Sequence, residues 1–184
     1  MNLRAATSED QSGVEEVVAA AFDEPVDGGV VRMMRLLTSS GAERASIIAV
    51  AEDEVVGHVQ LSRGWIDARE ALVEALVLSP LSVTPTRQNR GIGTALVEAA
   101  LAEAERQGSP AVFLEGSPTY YGRRGFQAAT PKGLSRPSPR IPDRGWQVAL
   151  LPAHETWMTG QVVYPDAFWV TDKVGLRDPE LRQV

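Results

Sequence analysis

A chain of 184 residues with 43% hydrophobic residues and a formal net charge of −6 is long enough for one domain whose core needs no covalent staples. It has no cysteine and only 2 histidines, His58 and His154, which excludes disulfides, thiolate ligands, a cysteine nucleophile and a multi-histidine metal site within one chain. The negative balance disfavours a nucleic-acid partner, and no apolar run approaches the ~18 residues that a membrane helix requires.

Met1-Asn2-Leu3-Arg4 leads directly into polar residues, as expected of a chain without a signal peptide, so a cytoplasmic location is the expectation. Asn2 to Ala6 reads as a first strand. Ser8 and Gln11 have capping-box spacing, and Val14, Val17, Val18, Ala21 and Phe22 recur at helical intervals, predicting a helix from Glu9 to Phe22. The stretch Asp23, Glu24, Pro25, Asp27, Gly28 breaks it. A second helix follows on Val30, Met33, Met34 and Leu37 and stops before Gly41. Ser46–Ala51 and Val55–Leu61 read as a hairpin turning at Glu52-Asp53-Glu54. A long strand spans Ala71 to Val83, and Pro80 within it predicts a bulge, because proline has no N–H for the ladder. Gly91 to Arg106 reads as a third helix, Ala111–Leu114 as a short buried parallel strand, and Tyr120–Arg124 as a helical turn.

The order strand, helix, strand around Gly91 is a parallel crossover, while the hairpin before it is antiparallel. The predicted class is therefore α/β (α+β): a mixed, mostly antiparallel sheet with a parallel β-α-β core and helices on both faces. Composition divides the chain into a core over residues 1–129, a loop or arm over 130–145, and a C-terminal part over 146–184 whose strands complete the same domain. Residues 130–142 hold 4 prolines and 3 basic residues, which rules out a helix there. Trp146–Leu151 and Gln161–Tyr164 are the expected last strands, and the polar end from Thr171 to Val184 is expected to fray. The four tryptophans, Trp65, Trp146, Trp157 and Trp169, are expected in the core or at an interface.

The stretch from Leu81 to Leu96 carries the most chemistry. A strand ends at Val83, a loop bears Gln88, Asn89 and Arg90, and Gly91 and Gly93 open a helix. Such a helix start offers unpaired N–H groups and the positive end of the helix dipole, and glycine lets a phosphate or pyrophosphate come close. Arg87 or Arg90 can add charge. The dinucleotide fingerprint does not fit, since Leu96 stands where its third glycine belongs. No G-x-x-x-x-G-K-[ST] loop and no G-x-S-x-G elbow occurs, which disfavours ATP hydrolysis and serine hydrolase chemistry.

The run V-T-P-x-x-Q-x-x-G-I-G-x-A-L, from Val83 to Leu96, followed by Y-G-R-R-G-F from Tyr121 to Phe126, resembles the GCN5-related N-acetyltransferase (GNAT) family. The predicted element order matches that family's fold, and the tail Gly160–Pro165 resembles a small bacterial subgroup of it. The resemblance implies an acetyl-CoA-dependent acyltransferase. Leu81, Ser82 and Val83 would offer backbone to the pantetheine arm. Gln88, Asn89, Arg90, Gly91, Ile92, Gly93 and Thr94 would wrap the pyrophosphate, and Ser117 would stand where many members have a cofactor-touching asparagine. The bulge near Ser79-Pro80 would splay two strands to make the slot. Tyr121 would occupy the general-acid position.

A thioester is already activated, so an amine can attack it directly in a ternary complex, with no covalent enzyme intermediate and no metal. An alkylamine of pKa about 10 must lose a proton, and a thiolate leaving group of about 8.5 must gain one. A phenol of about 10 matches that thiol. Glu115, ending its strand towards the slot, is the candidate base, with Glu74 and His58 behind it. Each has a plainer alternative: Tyr121 as a packed ring with Tyr120 taking its role, Ser117 as a helix cap, Glu115 as a solvated strand end, His58 as a packed core residue. The acidic residues Asp23, Glu24 and Asp27 form either an acceptor wall or a solvated turn. Partners are a small-molecule or peptide amine, with no nucleic acid and no membrane. The proline-rich continuation covers the acceptor site or makes a homodimer contact. The alternative function is a non-catalytic acyl-CoA-binding regulatory module on the same fold.

Overall fold

Alternating side chains along the central strands build two cores, one on each face of a nine-stranded sheet. The computed structural model describes residues 1–176. Its elements are β1 (Asn2–Ala5), α1 (Gln11–Phe22), α2 (Gly29–Ser39), β2 (Glu43–Ala51), β3 (Glu54–Ala68), β4 (Leu72–Val83) and α3 (Ile92–Arg106). There follow β5 (Ala111–Glu115), α4 (Pro118–Tyr121), β6 (Gln127–Ala128), β7 (Leu134–Ser135), β8 (Trp146–Leu150), β9 (Gly160–Val163) and α5 (Asp166–Val170). The path is β1-β2-β3-β4-β5-β8-β6, with β9 lying between β3 and β7. The pairs β4–β5 and β7–β9 are parallel and the others antiparallel. This is the mixed sheet expected, with α1, α2 and α5 on one face and α3 on the other.

Ala75, Val77, Ala111 and Phe113 join the core under α1 and α2. Leu76, Leu78, Val112 and Leu114 join the core under α3 with Leu96, Val97 and Ala100. At roughly 25 cal/mol per Å2 of apolar surface removed from water, these two layers are the main source of stability. Gly57 is needed where α3 crosses β3, because a β-carbon there would come within 2.9 Å of Leu96 and 3.0 Å of Ile92.

The expected bulge in β4 is present. Val59 faces Leu81 while Leu61 faces Leu78, so β4 has one residue more than β3 across Ser79-Pro80. Pairing of β4 with β5 covers only Leu76↔Val112 and Val77↔Phe113. Beyond that point the two strands diverge, and their gap is where the site lies.

Several elements differ from expectation. The first turn is capped one residue earlier: the Asp10 carboxylate accepts from the Thr7 N–H and from its hydroxyl, each at 2.8 Å, and is paired with Arg4 at 2.6 Å. Ser8 lies inside that turn. Strand β3 runs seven residues past the predicted Leu61, because β9 pairs with its far half at Trp65 to Ala68. Helix α5, β6 and β7 were not expected. The proline-rich segment is neither a free arm nor a helix. It holds β7 and short turns, with Leu134 and Ile141 fully buried. Of the tryptophans, Trp146 is fully buried, stacks on Phe113 at 5.2 Å and donates to the Leu134 carbonyl at 2.9 Å. Trp169 is 40% exposed. The expected fraying from Thr171 onward falls largely on residues 177–184, outside those described.

Candidate functional site

The gap between β4 and β5 opens to both faces of the sheet. On the α3 face it is a cleft of about 420 Å3, floored by Leu81 and Val83 and walled by Gln88, Asn89, Ile92, Gly93 and Tyr121. Gly91 caps α3 with φ +83°, a left-handed conformation that a β-carbon would strain. Asn89 shares the left-handed region at φ 59°. The first intrahelical bond runs from the Ala95 N–H to the Gly91 carbonyl at 3.0 Å, so the N–H groups of Ile92, Gly93 and Thr94 lie before the ladder begins. A β-carbon at Gly93 would meet the Tyr120 hydroxyl at 2.5 Å. The glycine therefore makes room for that ring over the helix start. The Gln88 amide donates to the Val83 carbonyl at 3.2 Å and pins the loop to the strand end.

Not every predicted loop residue faces this cleft. Leu81, Val83, Gln88, Asn89, Ile92, Gly93 and Ser117 line it. Ser82 does not: it is 1% exposed and points to the opposite face, as the pleat requires of a residue between Leu81 and Val83. Arg90 is exposed on the loop's outer side and is not in the lining, and Gly91 serves through its backbone turn. The Thr94 hydroxyl is already engaged, accepting from Arg124 Nη2 at 2.6 Å and Nε at 3.1 Å. Arg87 lines the rim but is paired with Glu52 at 2.7 Å. Ser117 is both lining and cap, its hydroxyl accepting the Tyr120 N–H at 3.4 Å.

Tyr121 packs its ring over Gly116, where a β-carbon would collide with it at 2.3 Å, and edge-on against Phe126 at 5.6 Å. Burial, with Tyr120 beside it, pushes its hydroxyl up to about 12. Burial thus makes this hydroxyl a weaker acid than a free phenol and keeps it in its protonated, hydrogen-bond-donating form. Arg124 is the residue that the sequence reading missed here. Its guanidinium lies 3.6 Å from the Tyr120 ring centroid and donates to the Tyr120 carbonyl as well as to Thr94. The signal was available in the Y-G-R-R-G-F motif, but nothing in the motif says that its second arginine folds back onto the helix start.

On the α1/α2 face the gap opens into a cavity of about 320 Å3. Glu115 lies there, not in the cleft towards which its strand-end position seemed to aim it. The pleat decides this: Ala111, Phe113 and Glu115 share one face, and Val112 and Leu114 the other. Burial raises the Glu115 carboxyl to about 7 against the pull of its partners. Those partners are the Gly175 N–H, donating at 3.0 Å, the Tyr164 hydroxyl, and the charge of Arg140. Tyr164, fully enclosed, is itself held well above the usual phenol range by burial and by that carboxyl. Phe22, Val30, Met33 and Phe168 complete the walls, and Leu78 and Ser79 of the bulge join the cavity to the gap.

The other candidates fall outside both openings. Glu74 pairs with Arg44 at 2.8 Å. His58 is fully buried in β3, its Nε2 2.9 Å from the Ser46 hydroxyl, and burial lowers it to about 3, so it is a neutral core residue. Glu24 is not a free acceptor wall. It accepts the Val30 N–H at 2.9 Å at the start of α2 and pairs with Lys173 at 2.6 Å. Asp23 and Asp27 are solvated turn residues. Among the described residues no cluster of His, Cys, Asp or Glu could hold a metal ion, and no helix is long and apolar enough to cross a membrane.

Comparison with known proteins gives a consistent answer. A family model described as an acetyltransferase (GNAT) domain matches residues 2–129. The chain is 30% identical over 157 residues to the uncharacterized N-acetyltransferase YjhQ of Escherichia coli (strain K12), covering 83% of this chain and 86% of that one. It superposes with a TM-score of 0.80 on the GNAT family N-acetyltransferase YhbS of Escherichia coli, crystallised with CoA, at 22% identity over 91% of each chain. A GNAT family acetyltransferase of Brucella melitensis, crystallised with acetyl-CoA, gives a TM-score of 0.71 at 26% identity, covering 91% of this chain and 97% of that one.

Proposed function

This chain belongs to the GNAT family of N-acetyltransferases, and from that membership we propose that it moves the acetyl group of acetyl-CoA onto a primary amine by direct attack, with both substrates bound at once. The single observation that carries the reading is the two-sided gap between β4 and β5. A cradle suited to a phosphate-bearing donor lies on one face, and a buried carboxyl able to take a proton near neutrality lies on the other.

The donor enters the α3-side cleft. Main-chain N–H groups of Ile92, Gly93 and Thr94 take the pyrophosphate, helped by the dipole of a fifteen-residue helix. The edge of β4 beyond Val77, which has no partner in β5, offers backbone to the pantetheine arm. The amine enters the α1/α2-side cavity and meets the thioester at the bulge. Its nitrogen attacks the carbonyl carbon, the carbon–sulfur bond breaks, and the proton shed by nitrogen goes to the Glu115 carboxylate. A group at about 7 is ionised enough at neutral pH to accept it and close enough to neutrality to release it again. Full proton transfer from a phenol at about 12 to a thiolate of about 8.5 is uphill. Tyr121 therefore acts by hydrogen-bonding the charge that develops on sulfur, and solvent protons complete the thiol.

The test is release of free thiol from acetyl-CoA over a panel of amines, with Tyr121→Phe alongside. Turnover that Tyr121→Phe depresses at unchanged acetyl-CoA affinity supports the reading. Tight acetyl-CoA binding with no thiol released by any amine would favour the non-catalytic regulatory module instead.

A further inference from the structure

The acceptor class can be read from the walls of the α1/α2-side cavity, an argument that rests on its assignment as the acceptor side. Its charges come first. Lys173 is paired with Glu24 at 2.6 Å, and Arg140 with Asp172 at 3.2 Å. Both cations at the rim are thus already neutralised, and neither is disposed to take a substrate carboxylate. Among the described lining residues Glu115 is the one carboxyl outside an ion pair, and it is needed for the proton. Beside Ser79 and the paired Asp172 and Lys173, the walls that the substrate body meets are apolar or aromatic: Phe22, Val30, Met33, Leu78, Tyr164 and Phe168.

Size comes second. A space of about 320 Å3 accommodates a body of about fifteen non-hydrogen atoms at the packing density of a protein interior. A second ammonium group carried by the substrate would find, apart from Glu115, only the Asp172 carboxylate, which is already paired with Arg140, and would gain little for the water it loses.

We infer that the acceptor is a small primary amine with a single charge and an apolar alkyl or arylalkyl body, and that its selection is made by the stretch from Tyr164 to Gly175. That stretch supplies Tyr164, Phe168 and the Gly175 N–H to the cavity. It lies wholly beyond residue 129, where the family match ends. The donor machinery is thus inside the shared domain, and much of the acceptor wall is outside it.

The experiment compares 2-phenylethylamine and 3-methylbutylamine with 1,4-diaminobutane, spermidine, lysine and kanamycin, both as substrates at saturating acetyl-CoA and as ligands of the CoA complex by calorimetry. The apolar monoamines should exceed every polycation and the amino acid by about 100-fold in kcat/KM and should bind the CoA complex more tightly. Phe22 is 44% exposed, so Phe22→Asp can be made without opening the core. By placing a carboxylate on the wall it should narrow the preference for 2-phenylethylamine over 1,4-diaminobutane at least tenfold. Polycations that match or outdo the monoamines, in binding or in turnover, overturn the inference while leaving acetyl transfer intact. Selective monoamine binding without thiol release upholds the inference and defeats the catalytic reading. A ratio unmoved in Phe22→Asp places the amine elsewhere and overturns the inference.

Discussion

The two openings of the splayed sheet are made by opposite means. The α3-side cleft draws on one nearly continuous stretch, Leu81 to Gly93, with Ser117 to Tyr121 added from the next crossover, and it works through backbone: positive φ at Gly91, helix N–H groups, an unpaired strand edge. The α1/α2-side cavity gathers side chains from Phe22 to Gly175 and works through burial and one titratable group. Backbone recognition tolerates side-chain change, so it suits a ligand of constant structure. Side-chain recognition changes with every substitution, so it suits a partner that differs between relatives. If this division is right, substitutions on the first face should change donor affinity or leaving-group chemistry alone, and those on the second should change acceptor use alone.

Tyr121→Phe should give the largest separable effect. Removing the hydroxyl should lower kcat by about 100- to 1000-fold while the KM for acetyl-CoA stays within about twofold, because the ring still packs against Phe126 and Gly116. Steady-state kinetics on thiol release checks this. A loss of under threefold would make Tyr121 a core residue whose hydroxyl takes no part.

Gly91→Glu comes next. It forces a side chain into the left-handed region and puts a negative charge at the helix start, together worth about 100-fold in CoA affinity by calorimetry. The β-carbon itself would have open space around it, so the melting temperature should fall only by a few degrees. Acceptor preference should not move. If it does, the two faces are not independent.

Glu115→Gln probes the second face. A carboxyl raised to about 7 is protonated and inactive as a base below that pH and ionised above it, so the parent kcat/KM should rise more steeply below pH 7 than the ionisation of the free amine alone requires. The glutamine variant should be about 30-fold slower at pH 8, should keep only the slope that the amine itself imposes, and should bind CoA as before. Identical slopes in parent and variant would assign the proton to another group.

The same division explains what could be foretold from the sequence. The glycine loop is legible because an anion cradle is local: a strand end, two glycines and a helix start lie within a dozen residues. The bulge is legible because Pro80 has no N–H to give the ladder. The face taken by Glu115 is not, because a strand as uniformly apolar as Ala111–Leu114 shows no alternation to reveal which side is which. The true length of β3 is hidden for a related reason. Its inward positions His58, Gln60 and Ser62 are polar yet no more than 1% exposed, so the pattern appears to stop where the strand continues. The Ser8 and Gln11 spacing misplaces the first cap by one residue, because Asp10, paired with Arg4, bonds the Thr7 N–H and hydroxyl instead. The cavity wall beyond residue 160 depends on an aromatic cluster of Trp146, Tyr164 and Phe168 that no local pattern announces.

Arg124 offers the finest test, because it sits at the seam of the first face without lining the cleft. Its guanidinium ties the Tyr120 carbonyl to the Thr94 hydroxyl and covers the Tyr120 ring, which in turn overhangs Gly93. Arg124→Met keeps much of the stem's bulk and removes the hydrogen bonds to Thr94 and Tyr120 and the cation over the ring. Net contributions of this kind are about 1 kcal/mol each, so CoA affinity should fall by about fivefold, with Tyr120 freed to swing over the helix start. Two roles for the arginine then separate by salt. If it only positions Tyr120 and Thr94, parent and variant should lose CoA affinity in parallel as ionic strength rises. If its charge also reaches a phosphate, the parent should lose more than the variant, since screening acts on a charge that the variant lacks. Parallel salt curves would keep the first face a backbone device with a supporting clamp, and diverging ones would add a side-chain cation to it and blur the contrast with the other side.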